Sequence, residues 1–231
     1  MKRPWLHQSA SSIRFGWGPS SIEHVVADVV VVVDVLRFTS AVDAGVSRGA
    51  EVFPYRWKDE YAVEFAASVG AVLAGGGDPV GLTLSPISLL KLDRGDRVVL
   101  PSPNGSTCAV TANELGATVV AACLRNATAV ARWITDRGFE SVAVIAGGER
   151  WPDGSLRPAL EDLLGAGAML AALGGDHSPE AAAAAAVPLP VPAGCDRPLR
   201  PPSRPRRRAR RCGRCRRHGR RRRRYRRRGN G

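Results

Sequence analysis

The sequence predicts an α/β fold. It reads as a three-layer α/β/α domain containing two similar β-loop-α-β subdomains, followed by a disordered basic tail. Three observations lead there. Residues 29–33 are five consecutive valines, the signature of a strand buried on both faces of a parallel sheet. Strand-like and helix-like stretches alternate through most of the chain, which argues for α/β layers. The same grammar recurs 67 positions apart, with Gly49-Ala50 matching Gly116-Ala117 and Thr39-Ser40 matching Ser106-Thr107.

In the first unit, the strand 29–33 leads into a polar loop, Asp34 to Ser40, and then a helix over 41–48. Gly49 suits its C-terminal cap, and Val52-Phe53 starts the next strand. In the second, 97–100 reads as a strand, 101–107 as a loop, and a helix runs through Glu114 to Gly116. Val119-Val120 closes that unit. A helix over 127–137, a strand over 142–146, a polar loop over 147–158 and an Ala/Leu-rich helix over 159–173 complete the ordered pattern, which ends near Ala186.

Charge divides the chain at the same place. Residues 187–231 hold 19 of the 34 basic side chains and one acid, Asp196, a net of +18. Residues 1–186 carry a net of −5, so the overall +13 describes neither part. The domains are accordingly 1–186, an α/β body, and 187–231, a Pro/Arg-rich tail without apolar periodicity, for which disorder is the expectation. Two origins fit the tail. One is a shifted reading frame of a GC-rich gene, since Pro, Arg, Gly and Ala supply 33 of its 45 residues. In that case a final piece of the domain is missing and the chain is inactive. The other is an arginine-rich arm, with residues 197–228 holding nucleic acid non-specifically.

Several classes are disfavoured. No G-x-x-x-x-G-K-[ST], H-E-x-x-H or G-x-S-x-G element occurs, and His7, His24, His177 and His218 are scattered, so histidine-centred nucleophilic catalysis is not expected. Cys108 and Cys123 read as buried apolar residues, and Cys212 and Cys215 lack the partners of a zinc site. The N-terminus shows no signal peptide. The apolar stretch 25–36, broken by Asp28 and Asp34, is too short to span a bilayer. The cytoplasm, no membrane association and, compatibly, a homo-oligomer are the expectations.

Chemistry in such sheets gathers where strands end and helices begin. Asp34 could hold a hard cation there, and Arg37 could take a pair of anion oxygens. Thr39 and Ser40 stand at a helix start that favours anions; an N-cap beside a surface ion pair explains the same residues. Asn104, Gly105, Ser106 and Thr107 form a second such loop, readable as an anion nest or as a turn and cap. Asn126 is either an N-cap or a substrate contact. Glu149 sits in a polar loop, and Glu161 and Asp162 open a helix where acids suit the dipole.

In this order the loops resemble the 2-phosphosulfolactate phosphatase family. The resemblance rests on Val31 to Ala41, Leu84-Ser85-Pro86, Pro103 to Thr107, Cys123 to Asn126, and Ala159 to Asp162. It implies Mg²⁺-dependent hydrolysis of 2-phospho-3-sulfolactate to 3-sulfolactate and phosphate, a step of coenzyme M biosynthesis. On that reading Asp34 and Asp162 hold Mg²⁺, Arg37 clamps an anion, and Asn104 to Thr107 cradle phosphate or sulfonate. Glu149 or Glu161 orients water, with Asp34 as a covalent nucleophile still open. The chain departs from the family at Gly75-Gly76-Gly77-Asp78, where a Gly-Glu-Arg stretch is usual. The competing function is nucleic-acid binding through the arginine tail.

Overall fold

A strand with apolar side chains on both faces must be covered on both sides, and this demand organises the fold. The computed structural model describes residues 4–56, 59–77 and 81–187. After a 3₁₀ turn, Pro4–His7, come β1 (Ile13–Trp17), α1 (Gly18–Ile22), β2 (Val29–Val33), α2 (Phe38–Arg48) and β3 (Glu51–Tyr55). Next are α3 (Tyr61–Ser68), β4 (Val72–Leu73), α4 (Pro86–Leu89), β5 (Arg97–Pro101), α5 (Gly105–Glu114) and β6 (Thr118–Ala122). The chain continues through α6 (Ala127–Thr135), β7 (Val142–Ala146), β8 (Glu149–Arg150), β9 (Leu156–Arg157), α7 (Leu160–Ala172) and α8 (Pro179–Ala185).

All five residues of β2 are buried, and β2 lies inside a parallel sheet of order β1-β7-β2-β6. Val29, Val31 and Val33, with Val142 and Val144, pack against Val130 and Ile134 of α6, Met169 and Leu170 of α7, and Ala181 of α8. Val30, Val32 and Ile145 face the other way, onto Phe38 and Ala41 of α2 and Cys108 and Ala112 of α5. Around this sheet the three-layer arrangement holds. Beyond α2 and α5 lies a second parallel sheet, β3-β5-β4, whose Val98 and Leu100 close the second core.

Both β-loop-α-β units are present, and the sheet order shows how they combine. Helices α2 and α5 begin 67 residues apart, at Phe38 and Gly105, and β3 and β6 do so at Glu51 and Thr118. The units are not side by side as separate subdomains. Strand β2 pairs with β6, with Val33 opposite Ala122, and β3 pairs with β5, with Tyr55 opposite Pro101. Each unit gives one strand to each sheet, so the two are interlocked.

Three expectations move, the first being α5, which starts at Gly105 inside the expected 101–107 loop. Helix α2 starts at Phe38 rather than Ala41, and Gly49, at φ +88°, closes it with its N–H on Val46. The 147–158 loop contains the antiparallel β8–β9 hairpin. Strand β1 had no clear sequence signal, because its apolar positions are interrupted by Arg14 and Gly16; it runs along β7, and on its other side Ile13 bridges His177. Cys108 and Cys123 are buried and unpaired. Among the described residues no helix is long and apolar enough to cross a membrane. The tail from 188 onward, including Cys212, Cys215 and the basic segment 197–228, lies outside the described residues, as does Asp78.

Helix α7 reaches β2 through Gly165. A methyl added there would stand 2.7 Å from Val35 Cγ2 and 2.8 Å from Val33 Cγ1, closer than carbon atoms pack. Gly165→Val is therefore expected to destabilise the fold by about 1–3 kcal/mol through overpacking. Urea unfolding measures it, and an unchanged midpoint would show that α7 has room to shift.

Candidate active site

The carboxyl ends of β2 and β7, neighbours in one sheet, meet the N-terminus of α5, which follows a strand of the other sheet. Asp34 and Asp162 are buried at this junction, at 5% and 3% exposure. Asp34 Oδ2 accepts from Gly105 N at 2.8 Å and from Ser102 Oγ at 3.4 Å, while its Oδ1 accepts from Phe38 N at 3.2 Å. Asp162 Oδ1 accepts from Val35 N at 2.7 Å and its Oδ2 from Gly148 N at 2.8 Å. Gly147 lies between the two acids: a Cβ there would be 3.2 Å from Asp34 Cβ and 3.6 Å from Asp162 Oδ2.

Backbone N–H groups thus solvate both carboxylates, and among the described residues neither has an ion-pair partner. Burial raises the pKa of Asp34. Burial, with the charge of Asp34 adding to it, pushes Asp162 up to about 7. Beneath them burial drives the Cys108 thiol up to about 12, reinforced by both acids, so it is no nucleophile. Glu149 moves the opposite way. Its Oε1 accepts from Asn104 Nδ2 at 3.0 Å and from Arg150 N at 2.9 Å, and these bonds hold its pKa below the ordinary value.

The loop hydroxyls face inward. Thr39 Oγ1 donates to Asp34 O at 2.7 Å and accepts from Asp34 N, and Ser40 Oγ donates to Val35 O. Because α2 already begins at Phe38, these residues lie in its first turn and brace the loop instead of capping the helix. Ser106 Oγ donates to Leu100 O at 2.7 Å, and Thr107 Oγ1 reaches Ser102 O at 3.5 Å. The cap position of α5 is Asn104, with no side-chain cap bond. The N–H groups of Asn104 and Gly105 go to Ser102 Oγ and Asp34, so the expected anion nest is filled by the protein's own carboxylate.

Asn126 occupies the cap position of α6. Its Oδ1 accepts from Cys123 N at 2.8 Å and its Nδ2 bonds Asp43 and Ala121 O, which commits it to a separate cluster where Arg125 also pairs with Asp43. Arg37 is exposed at the start of α2 and has no ion-pair partner among the described residues. Glu161, beside Asp162, is half-buried, and only Asp162 faces inward.

Ser102, Gly147 and Gly148 also join the site. A Gly-Gly pair directly after a five-residue buried strand was a usable signal, because it mirrors Asp34 after β2. Arg157 also belongs here. It stands opposite Glu149 in the β8–β9 hairpin, with its guanidinium 5.9 Å from the centre of the Trp151 ring.

The donor chemistry suits a hard cation. Asp34 Oδ1 and both oxygens of Asp162 accept one N–H bond each and keep a lone pair, and among the described residues these two buried acids have no positive side chain paired with them. No three His, Cys, Asp or Glu side chains converge as a closed metal cage among the described residues. Mg²⁺ fits such an open site, since it takes one or two carboxylates and leaves its other positions to water and substrate oxygens.

A family model described as 2-phosphosulpholactate phosphatase matches residues 19–189. The chain belongs to that family. The matched span contains every site residue named above. Two relatives carry the name "Probable 2-phosphosulfolactate phosphatase". The one from Thermus thermophilus is 35% identical over 161 residues, covering 66% of this chain and 65% of its own length. The one from Deinococcus radiodurans is 33% identical over 148 residues, covering 61% and 59%. The match therefore spans less than two thirds of the length of either relative.

The buried acid pair has a measurable signature. Between the ordinary aspartate value of 3.8 and about 7, the folded chain keeps a proton at Asp162 that the unfolded chain releases. Stability of the metal-free chain is expected to fall as pH rises through that window, with Asp34 adding to the slope in the same direction. Asp162→Asn should flatten it. Urea unfolding in EDTA at about pH 5 and about pH 8 checks this; equal stabilities for the parent chain would contradict it.

Proposed function

We propose that this chain hydrolyses 2-phospho-3-sulfolactate, or a closely related small anionic phosphate ester, in a Mg²⁺-dependent reaction. The carrying observation is the pair of buried carboxylates held by backbone N–H groups with no cationic side chain to neutralise them. Family membership supports the same reading. Asp34 and Asp162 would hold the ion, which when bound would offset charge on the phosphoryl oxygens and acidify a water.

The chain's own residues supply the rest. Glu149 is kept ionised by Asn104 and the Arg150 N–H, both on Oε1, and its Oε2 is the oxygen left to orient an attacking water. Glu149 suits this role better than Glu161, which makes no comparable bond to the loop. Asp34 serves as a fixed ligand better than as a nucleophile, because three donors already hold its two oxygens. Arg37, exposed at the start of α2, would meet the phosphoryl group of an incoming ester with a bidentate fork.

Phosphate release from 2-phosphosulfolactate by the full chain, with Mg²⁺ and with EDTA, tests the reading. Glu149→Gln is expected to lower kcat by roughly 10²- to 10⁴-fold, and Asp34→Asn to remove the Mg²⁺ dependence together with turnover. Wild-type turnover in the Asp34 variant, or a parent chain that is equally active in EDTA, would overturn it.

The tail supports a second, separate activity. A net of +18 over residues 187–231 is enough to bind RNA or DNA without sequence preference. That affinity should fall steeply with added salt and vanish in a chain ending at residue 186, as measured by filter binding. Retention of nucleic acid by the shortened chain would move the activity to the body.

A further inference from the structure

The β8–β9 hairpin presents a cationic side chain to the site that the hydrolytic reading leaves unused. Glu149 and Arg157 are directly opposed in the hairpin register, so both project from the same face. Trp151, two residues beyond Glu149, is on that face as well, and the Arg157 guanidinium lies 5.9 Å from its ring centre. The direction of this face is fixed by Glu149, whose carboxylate is bonded to Asn104 at 3.0 Å, on the loop that holds Asp34. Arg157 is half-buried, yet among the described residues it makes neither a hydrogen bond from its guanidinium nor an ion pair within 4 Å. Gly148, at φ +67°, holds the hairpin close: a Cβ there would be 2.8 Å from Leu156 Cδ1 and 3.0 Å from Arg157 O.

A half-buried guanidinium near an indole and beside Glu149, whose N–H donors meet no acceptor among the described residues, is arranged to receive a planar or tetrahedral anion. The phosphoryl group belongs at the acid pair. What remains for Arg157 is the second anionic group of the substrate. We infer that Arg157, backed by Trp151, is the specificity-determining residue that binds the sulfonate (or an equivalent second anion) of the ester and so selects doubly anionic phosphate esters over simple ones. This rests on the hydrolytic reading for its orientation, but binding of the product-like anion can be measured without any turnover.

The test uses the full chain throughout, so that the arginine tail is common to every sample. Binding of 3-sulfolactate and of lactate, which lacks the sulfonate, is measured by calorimetry for the parent chain, Arg157→Gln and Arg157→Lys. The parent should prefer 3-sulfolactate by roughly 10- to 100-fold, as expected for a charge-assisted pair. Arg157→Gln should erase that preference, and Arg157→Lys should restore part of it. Thermal unfolding shows whether each variant is folded; if the Gln variant is not, the Lys variant alone must show a reduced preference.

In turnover, Arg157→Gln should raise KM for 2-phosphosulfolactate by a similar factor, and should weaken hydrolysis of 2-phosphosulfolactate far more than that of p-nitrophenyl phosphate. A merely structural arginine would lower both activities together. A parent chain without preference for 3-sulfolactate, or an Arg157→Gln variant that keeps it, overturns the inference. A parent chain that binds 3-sulfolactate through Arg157 but releases no phosphate from the ester instead overturns the hydrolytic reading and leaves this one standing.

Discussion

The contact between the Gly105 N–H and Asp34 Oδ2 is the interaction on which the site depends. It joins a helix whose strand lies in one sheet to the end of a strand in the other. Only glycine allows it: a Cβ at 105 would stand 2.3 Å from Phe38 Cδ1 and 2.6 Å from Asp34 Oδ2. Burying a carboxylate is costly unless donors replace the lost water. Here the N–H groups of Gly105 and Phe38, with the Ser102 hydroxyl, replace it. Without this approach, Asp34 would lose its shortest donor, and the junction between the two sheets would keep only the Ser102 hydroxyl and the Asn104–Glu149 bond as polar links.

The electrostatics of the site follow from that burial. Burial raises the pKa of both Asp34 and Asp162, with the charge of Asp34 adding to the rise at Asp162, while Glu149 is held ionised by direct hydrogen bonds. Environments that push neighbouring acids in opposite directions divide their roles. The protonatable pair invites a cation, and the ionised glutamate can accept a proton from water. The interlocked units provide the scaffold, since strand exchange places loops that are distant in sequence on one rim.

Much of this was legible along the chain. Five consecutive valines required a doubly covered strand, so the acid directly after them had to emerge at a sheet end, where Asp34 is found. The 67-residue repeat located both loop–helix junctions, because turn residues such as Gly49 and Asn104-Gly105 impose local geometry independent of the surroundings. Strand β1 was not legible, since a mixed pattern broken by Arg14 and Gly16 leaves little periodicity. Nor was the direction of the hydroxyls at Thr39, Ser40, Ser106 and Thr107, as a hydroxyl can brace a backbone or face a ligand with the same local sequence.

The sequence by itself determined the α/β class, the repeat, the strand that carries Asp34 and the division between an acidic body and a basic tail. These rest on periodicity, turn chemistry and charge, all of which act within a few residues. Tertiary structure alone decided that Asp162 and not the adjacent Glu161 faces inward, because one residue turns a helix by about 100° and only packing sets the phase. It also decided that Gly105 serves Asp34 rather than a bound anion, that Asn126 joins Asp43, and that Glu149 and Arg157 share a face beside Asn104. Those pairings bridge up to 127 residues of chain, and contacts at such separation exist only once the two sheets have closed on one another.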